Sequence, residues 1–206
     1  MRVSRTVVAG VAAATALTVS VAGCGSKPAS TSTSGSATSA TSARSSAPAS
    51  SAPAQPTDYA NLLIQATDIN APIQFNGSAP TPNPNGQPGV ATTFSTEDNS
   101  HAIKDTIEVL ADPAGATNAL NAAKGNQGGA ITNPTPPRPL NVGTGGTTVS
   151  GKSPDNSKGV LILMFTEGRA FVTLEFAGPV DSLPPEDFVT DVGQKQAAAV
   201  KKGLGG

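Results

Sequence analysis

The 206-residue sequence has one cysteine, one histidine, one tyrosine and no tryptophan. A lone Cys and a lone His cannot build a disulfide, or a His/Cys metal site, within one chain. No metal and no cofactor is expected. Acid–base chemistry that needs imidazole has only His101 to draw on. Charged residues are 13% of the chain, about half the usual quarter. They balance to a net charge of −1, which argues against a nucleic-acid partner, because such a partner normally meets a basic face. Aromatic residues are 3%, so the core has little apolar area to spare. No catalytic residue stands out, and the chain is read as not an enzyme.

What is present begins at the N-terminus. Arg2 and Arg5 form a short positive region, Val7 to Val21 is an uncharged run of apolar and small residues, and Val21-Ala22-Gly23-Cys24 closes it. The run is short and rich in Ala, Ser and Thr, whereas a spanning helix needs roughly 20 strongly apolar residues. Residues 1–23 read as a secretory signal peptide. Val-Ala-Gly-Cys resembles the bacterial lipobox. That resemblance implies a diacylglyceryl group on the Cys24 thiol, and cleavage that leaves Cys24 as the lipidated first residue. Two acyl chains, at about 0.8 kcal/mol per buried CH2, hold a protein stably on a membrane.

Residues 25–56 are Gly, Ser, Thr, Ala and Pro except for Lys27, Arg44 and Gln55. No large apolar residue offsets the entropy of ordering, so residues 24–56 read as a lipidated Cys followed by a disordered, flexible tether. Its root-mean-square span is roughly 30 Å for such a composition. The hydroxyl and proline density also suits O-glycosylation. Signal peptide, lipobox, Ser/Thr/Ala/Pro tether and one small domain together resemble the cell-envelope lipoproteins of mycobacteria and related actinobacteria. The resemblance implies the outer, extracytoplasmic face of the cell membrane as location, palmitate-type acylation, and often mannosylation of the tether.

Residues 57–206 read as a single α+β domain, long enough to bury one core. Asp58 to Gln65 predicts a short helix with Leu62, Leu63 and Ile64 as its apolar side. Residues 76–89 and 126–146, rich in Gly, Pro and Asn, predict loops. Val90–Glu97 and Ala102–Leu110 predict a hairpin, with Ile103, Ile107 and Val109 on one face and Lys104, Thr106 and Glu108 on the other. Asp112-Pro113 opens a helix, Asp as cap and Pro first, and Gly125 is its expected C-cap. Thr147–Lys152 is a candidate strand. Gly159–Thr166 and Arg169–Phe176 form a central hairpin around a Glu167-Gly168 turn. A last helix starts at Pro184-Pro185-Glu186-Asp187 and ends at Lys201-Lys202-Gly203, with Phe188, Val192, Ala199 and Val200 as its buried stripe. The expected fold is an antiparallel sheet of about five strands with helices packed on one face.

Three motifs bear on function. Gly146 to Ser153 fits G-x-x-x-x-G-K-[ST], but a P-loop needs a buried strand before it and a helix after it. Here PRPLNVGTG precedes and Pro154-Asp155-Asn156-Ser157 follows, so no nucleotide is expected. His101 falls in a turn beside Asp98 and Asp105, with no nucleophile-elbow sequence nearby. Met164, Phe165, Phe171 and Phe176 are the natural lining of an apolar cleft, should the sheet open one. The expected function is a non-enzymatic, lipid-anchored envelope protein that binds a protein partner or an apolar, lipid-like ligand. Its contact with the membrane runs through Cys24. The alternative is an extracytoplasmic hydrolase with a non-standard site, which a Ser–His contact or a carboxylate pair in a cleft would favour.

Overall fold

The computed structural model describes residues 58–127 and 129–205. The expected signal peptide, Cys24 and the expected tether lie outside the described residues.

The longest strands form where the sequence is most apolar. β7 (Lys158–Glu167) and β8 (Ala170–Pro179) pair over their full length, with Leu163 opposite Leu174 and Phe165 opposite Val172. The hairpin is as expected, but its turn is one residue later. Glu167 pairs with Ala170, so Gly168 and Arg169 are the loop, and Gly168 takes φ +57° at the first central position. That is the position where a type II′ turn needs a glycine.

β3 (Gly89–Ser95) and β4 (Ala102–Val109) make the second hairpin, and β4 pairs along β8. β6 (Thr144–Lys152) pairs with β7 on the other side. These five long strands are flanked by β1 (Asn76–Gly77), β2 (Thr81–Pro82) and β5 (Arg138–Pro139). The sheet is antiparallel throughout, in the order β1-β3-β4-β8-β7-β6-β5, with β2 also beside β3. Each outer strand is two residues long, and Pro82 and Pro139 sit in them. Short, proline-bearing edges resist pairing with another chain. β6 absorbs Gly146–Lys152 of the G-x-x-x-x-G-K-[ST] match, and a turn and β7 follow it.

The α+β class and antiparallel sheet are as expected, but the two α-helices divide between the faces rather than sharing one. Strand β7 shows why. Val160, Ile162 and Met164 belong to one apolar cluster, while Leu163 and Phe165 belong to another on the opposite side. A strand apolar on both faces must be covered on both. Helix α1 (Pro113–Gly125) covers the first face through Leu120, and helix α2 (Glu186–Gly203) covers the second through Val189, Val192 and Val200. In α1, Asp112 Oδ1 accepts from Gly115 N–H at 2.7 Å, the expected cap. Gly125 is the last helical residue and Asn126 the C-cap, one position later than expected. In α2 the buried stripe is Val189, Val192, Gln196 and Val200, while Phe188 and Ala199 lie at its margin. A Cβ on Gly193 would stand 2.6 Å from Leu163 Cδ2, so the absent side chain lets α2 lie close on β7.

The expected helix over residues 58–65 is instead a 3-10 turn, Ala60–Leu62, with a second at Ala66–Asp68. Leu62, Leu63 and Ile64 are all buried. Three consecutive apolar residues spread across a wide arc of a helix, and an irregular segment buries them better. The side chain of Gln196, fully buried in α2, fixes this segment. Its Oε1 accepts from Ile64 N–H at 3.1 Å and its Nε2 donates to the Leu62 carbonyl at 2.7 Å.

Candidate functional site

The α2 face of the sheet does not close at one end. The chain leaves the core at Ile69 and returns at Phe75, both buried, and Ile73 between them is 41% exposed. After β8 the chain turns, with Ser182 N–H on the Pro179 carbonyl at 2.9 Å, and lays Leu183-Pro184-Pro185 ahead of α2. Leu183 is 44% exposed. Between these two segments runs a groove of about 300 Å3, floored by Ile103 and Phe176 and walled by Phe75 and Phe188. Phe188 meets Phe176 edge-on, ring centres 6.0 Å apart at 73°, a favourable aromatic geometry. Ile73 and Leu183 are the only large apolar side chains strongly exposed among the described residues, and both line this groove.

At one end stands His101, at the start of the turn's return strand. The turn is tied by side chains. Asp98 Oδ1 accepts from Thr96 Oγ1 at 2.7 Å, Ser100 Oγ at 2.8 Å and Ser100 N–H at 3.0 Å. Those bonds, the Thr96 hydroxyl foremost, hold the Asp98 carboxyl down at about 2. Ser100 Oγ also lies 2.9 Å from His101 Nδ1. A Ser–His contact therefore exists beside a cleft, but its polarity runs against nucleophile activation. Ser100 gives its one proton to Asp98, so it accepts from His101 rather than losing a proton to it. A carboxyl that titrates near 2 is a poor base at neutral pH.

Asp105 is not beside His101. It points into the core from β4, opposite Thr92 and Leu174, and is 0% exposed. Neither carboxyl oxygen has a hydrogen-bond partner, and the nearby Thr92 hydroxyl is spent on the Ser78 carbonyl at 2.9 Å. Burial pushes the Asp105 carboxyl well up. It stands alone, without a second carboxylate facing it across the sheet. Among the described residues no three His, Cys, Asp or Glu side chains gather as metal ligands.

The four expected cleft residues do not share a cavity. Phe176 lines the groove. Phe165 is 0% exposed in the core of the same face. Met164 and Phe171 face the α1 side and border a separate cleft of about 300 Å3 with Lys104, Glu108 and Glu175. There burial raises the Glu175 carboxyl, and Lys104 directly across the strand pair partly lowers it again. Sequence reading missed Ile73, Leu183 and Phe75. Their one signal is a single large apolar residue isolated in a polar or proline-rich segment.

No family model and no curated protein matches the chain. Among solved structures, the chain is similar to the extracellular domain of PknH from Mycobacterium tuberculosis, with a TM-score of 0.51 and 11% identity over 72% of this chain and 95% of that one. At that identity, the likeness establishes a shared fold, which in PknH belongs to an extracellular domain.

Proposed function

We propose that the chain is a lipid-anchored, non-enzymatic protein of the outer face of the cell membrane, and that its domain binds an apolar, lipid-like chain in the groove beside α2. One observation carries the reading: the two large apolar side chains strongly exposed among the described residues, Ile73 and Leu183, line the same groove. Scattered exposed apolar residues need no explanation, whereas apolar residues converging on a concavity mark a binding site. A volume of about 300 Å3 is at the low end of the ~300–1,000 Å3 of small-molecule sites, and suits one chain better than a bulky ring system. The resemblance of Val21-Ala22-Gly23-Cys24 to a lipobox supports the anchor. The proton order in the Asp98-Ser100-His101 turn supports binding over hydrolysis.

Cys24→Ser moves the protein from the membrane fraction to the medium, or leaves an unprocessed precursor. Unchanged detergent partitioning of processed Cys24→Ser protein contradicts the anchor. For the groove, the neutral apolar probe N-phenyl-1-naphthylamine brightens on wild-type protein. The Ile73→Glu/Leu183→Glu double variant loses that signal while its melting temperature stays nearly constant, since exposed substitutions usually cost about 0.5 kcal/mol or less. Equal probe binding by the variant contradicts the groove. Loss of a co-purifying protein instead of a lipid points to a protein occupant.

A further inference from the structure

The cleft on the α1 face holds polar groups that the fold leaves unused. Strands β4, β8 and β7 set its floor in register. Lys104, Glu175 and Ile162 form one row across the three strands, and Thr106, Thr173 and Met164 form the next. Each row runs from polar on β4 to buried apolar on β7, where α1 covers the sheet. Thr106, Thr173 and Glu175 are half-buried. Among the described residues, neither threonine hydroxyl and neither oxygen of Glu175 has a hydrogen-bond partner. Directly opposite residues on paired strands have Cβ atoms about 4.5–5.5 Å apart, yet Lys104 and Glu175 close to no ion pair. At the rim, Glu108 accepts from Asn85 Nδ2 at 2.9 Å. Gln127 spends its Nε2 on the Ala123 and Lys124 carbonyls at 3.2 and 2.9 Å, which leaves its Oε1 to accept.

We infer that this cleft is a second binding site, independent of the groove, and that it takes an uncharged polyol the size of one sugar ring, with its hydroxyls on the Lys104–Glu175 and Thr106–Thr173 rows and its C–H face toward Ile162 and Met164. Lys104 only donates, and an ionised Glu175 only accepts. An ammonium ligand serves Glu175 but meets Lys104 as a like charge, and a carboxylate ligand does the reverse. A hydroxyl both donates and accepts, so neighbouring hydroxyls of one ring serve Lys104, both threonines and Glu175 together. A zwitterion would satisfy the first row and leave the threonine pair unused. A sugar ring carries hydroxyls at its edge and C–H groups on its faces, which matches a floor polar on β4 and apolar on β7. The volume of about 300 Å3 lies at the low end of the ~300–1,000 Å3 of small-molecule sites, enough for one ring. Burial also raises the Glu175 carboxyl, with Lys104 partly opposing it, and a perturbed carboxyl in a cleft is a mark of functional sites.

The test is a titration of the isotope-labelled full chain carrying Cys24→Ser with D-glucose, D-mannose, D-galactose, D-arabinose and myo-inositol, read from backbone amide shifts. At least one of these probes should give saturable shifts at Lys104, Thr106, Thr173 and Glu175. The Thr106→Val/Thr173→Val variant keeps the side-chain shape and removes both hydroxyls. It should bind that probe about tenfold more weakly, the effect of losing two hydrogen bonds. Its melting temperature should not fall, and N-phenyl-1-naphthylamine should still bind in the groove. Absence of saturable shifts with all of the polyols overturns the inference, as does equal affinity for the double variant. L-phenylalanine binding at these amides more tightly than every polyol overturns the ligand class in favour of a zwitterion. None of these results bears on the groove, which the naphthylamine probe reads separately.

Discussion

Leu174→Asp abolishes the cooperative thermal transition of the domain. Leu174 is 0% exposed and sits in β8 between Leu163 of β7 and Asp105 of β4. Removing its side chain costs about 2–5 kcal/mol in lost transfer and packing. An unpaired buried carboxylate adds several kcal/mol more, against a total stability of about 5–15 kcal/mol. The new carboxyl also faces one that already lacks a partner. The double variant Leu174→Asp/Asp105→Leu exchanges the two groups across the strand pair and leaves one buried carboxyl instead of two. It should regain a transition that Leu174→Asp lacks, a coupling that contacting residues show and distant ones do not. Thermal circular dichroism of the three variants decides this. A Leu174→Asp transition close to wild type would place Leu174 outside the core and contradict the register.

Asp105→Leu has the opposite sign and raises the melting temperature at neutral pH. Relieving an unsatisfied buried polar group recovers about 1–3 kcal/mol, or roughly 2–4 °C per kcal/mol for a domain of this size. The pH profile identifies the cause. The folded state holds the Asp105 proton far more tightly than the unfolded chain does, where an aspartate titrates near ~3.9. Stability from this group is therefore complete below about pH 4 and is lost as pH rises toward the folded value, by up to about 1.4 kcal/mol per pH unit. The raised Glu175 acts in the same direction. Asp98 and Asp155, both lowered to about 2 by neighbouring hydroxyls and amides, act in the other direction and lose their contribution only as pH falls below about 4. Wild-type melting temperature is expected to peak near about pH 4 and fall toward neutrality, and Asp105→Leu should flatten that fall. A wild-type curve rising steadily from pH 4 to 7 contradicts a partnerless Asp105.

The central hairpin was legible in the sequence because it is the longest apolar stretch of the domain and is bounded by a glycine turn. The cap of α1 was legible because Asp-Pro before a helical run has one natural reading. Alternation in β4 fixed the facing of Ile103 and Ile107. The same alternation puts Asp105 between them, inside, but a lone carboxyl in phase with a core face conflicts with its own chemistry, and its nearness in sequence to His101 suggests the turn instead. The faces taken by α1 and α2 depend on which side of β7 each helix reaches, and that is a tertiary choice. The groove was not legible, since its walls come from residues 70–75, 101–103, 176–178 and 182–188, four segments that only the sheet brings together. Ile73 and Leu183 are unremarkable singly and informative only once they line one hollow. Aromatic and thioether character groups Phe165 and Phe176 with Met164 and Phe171, yet the period of two sends the pairs to opposite faces of the sheet.

The groove is tested most directly by native mass spectrometry of the chain released from its own envelope, alongside the Ile73→Glu/Leu183→Glu variant prepared identically. A wild-type species carrying one non-covalent, single-chain amphiphile is expected, and a variant that flies without it. Bare wild-type protein, or the same adduct retained on the variant, would contradict it.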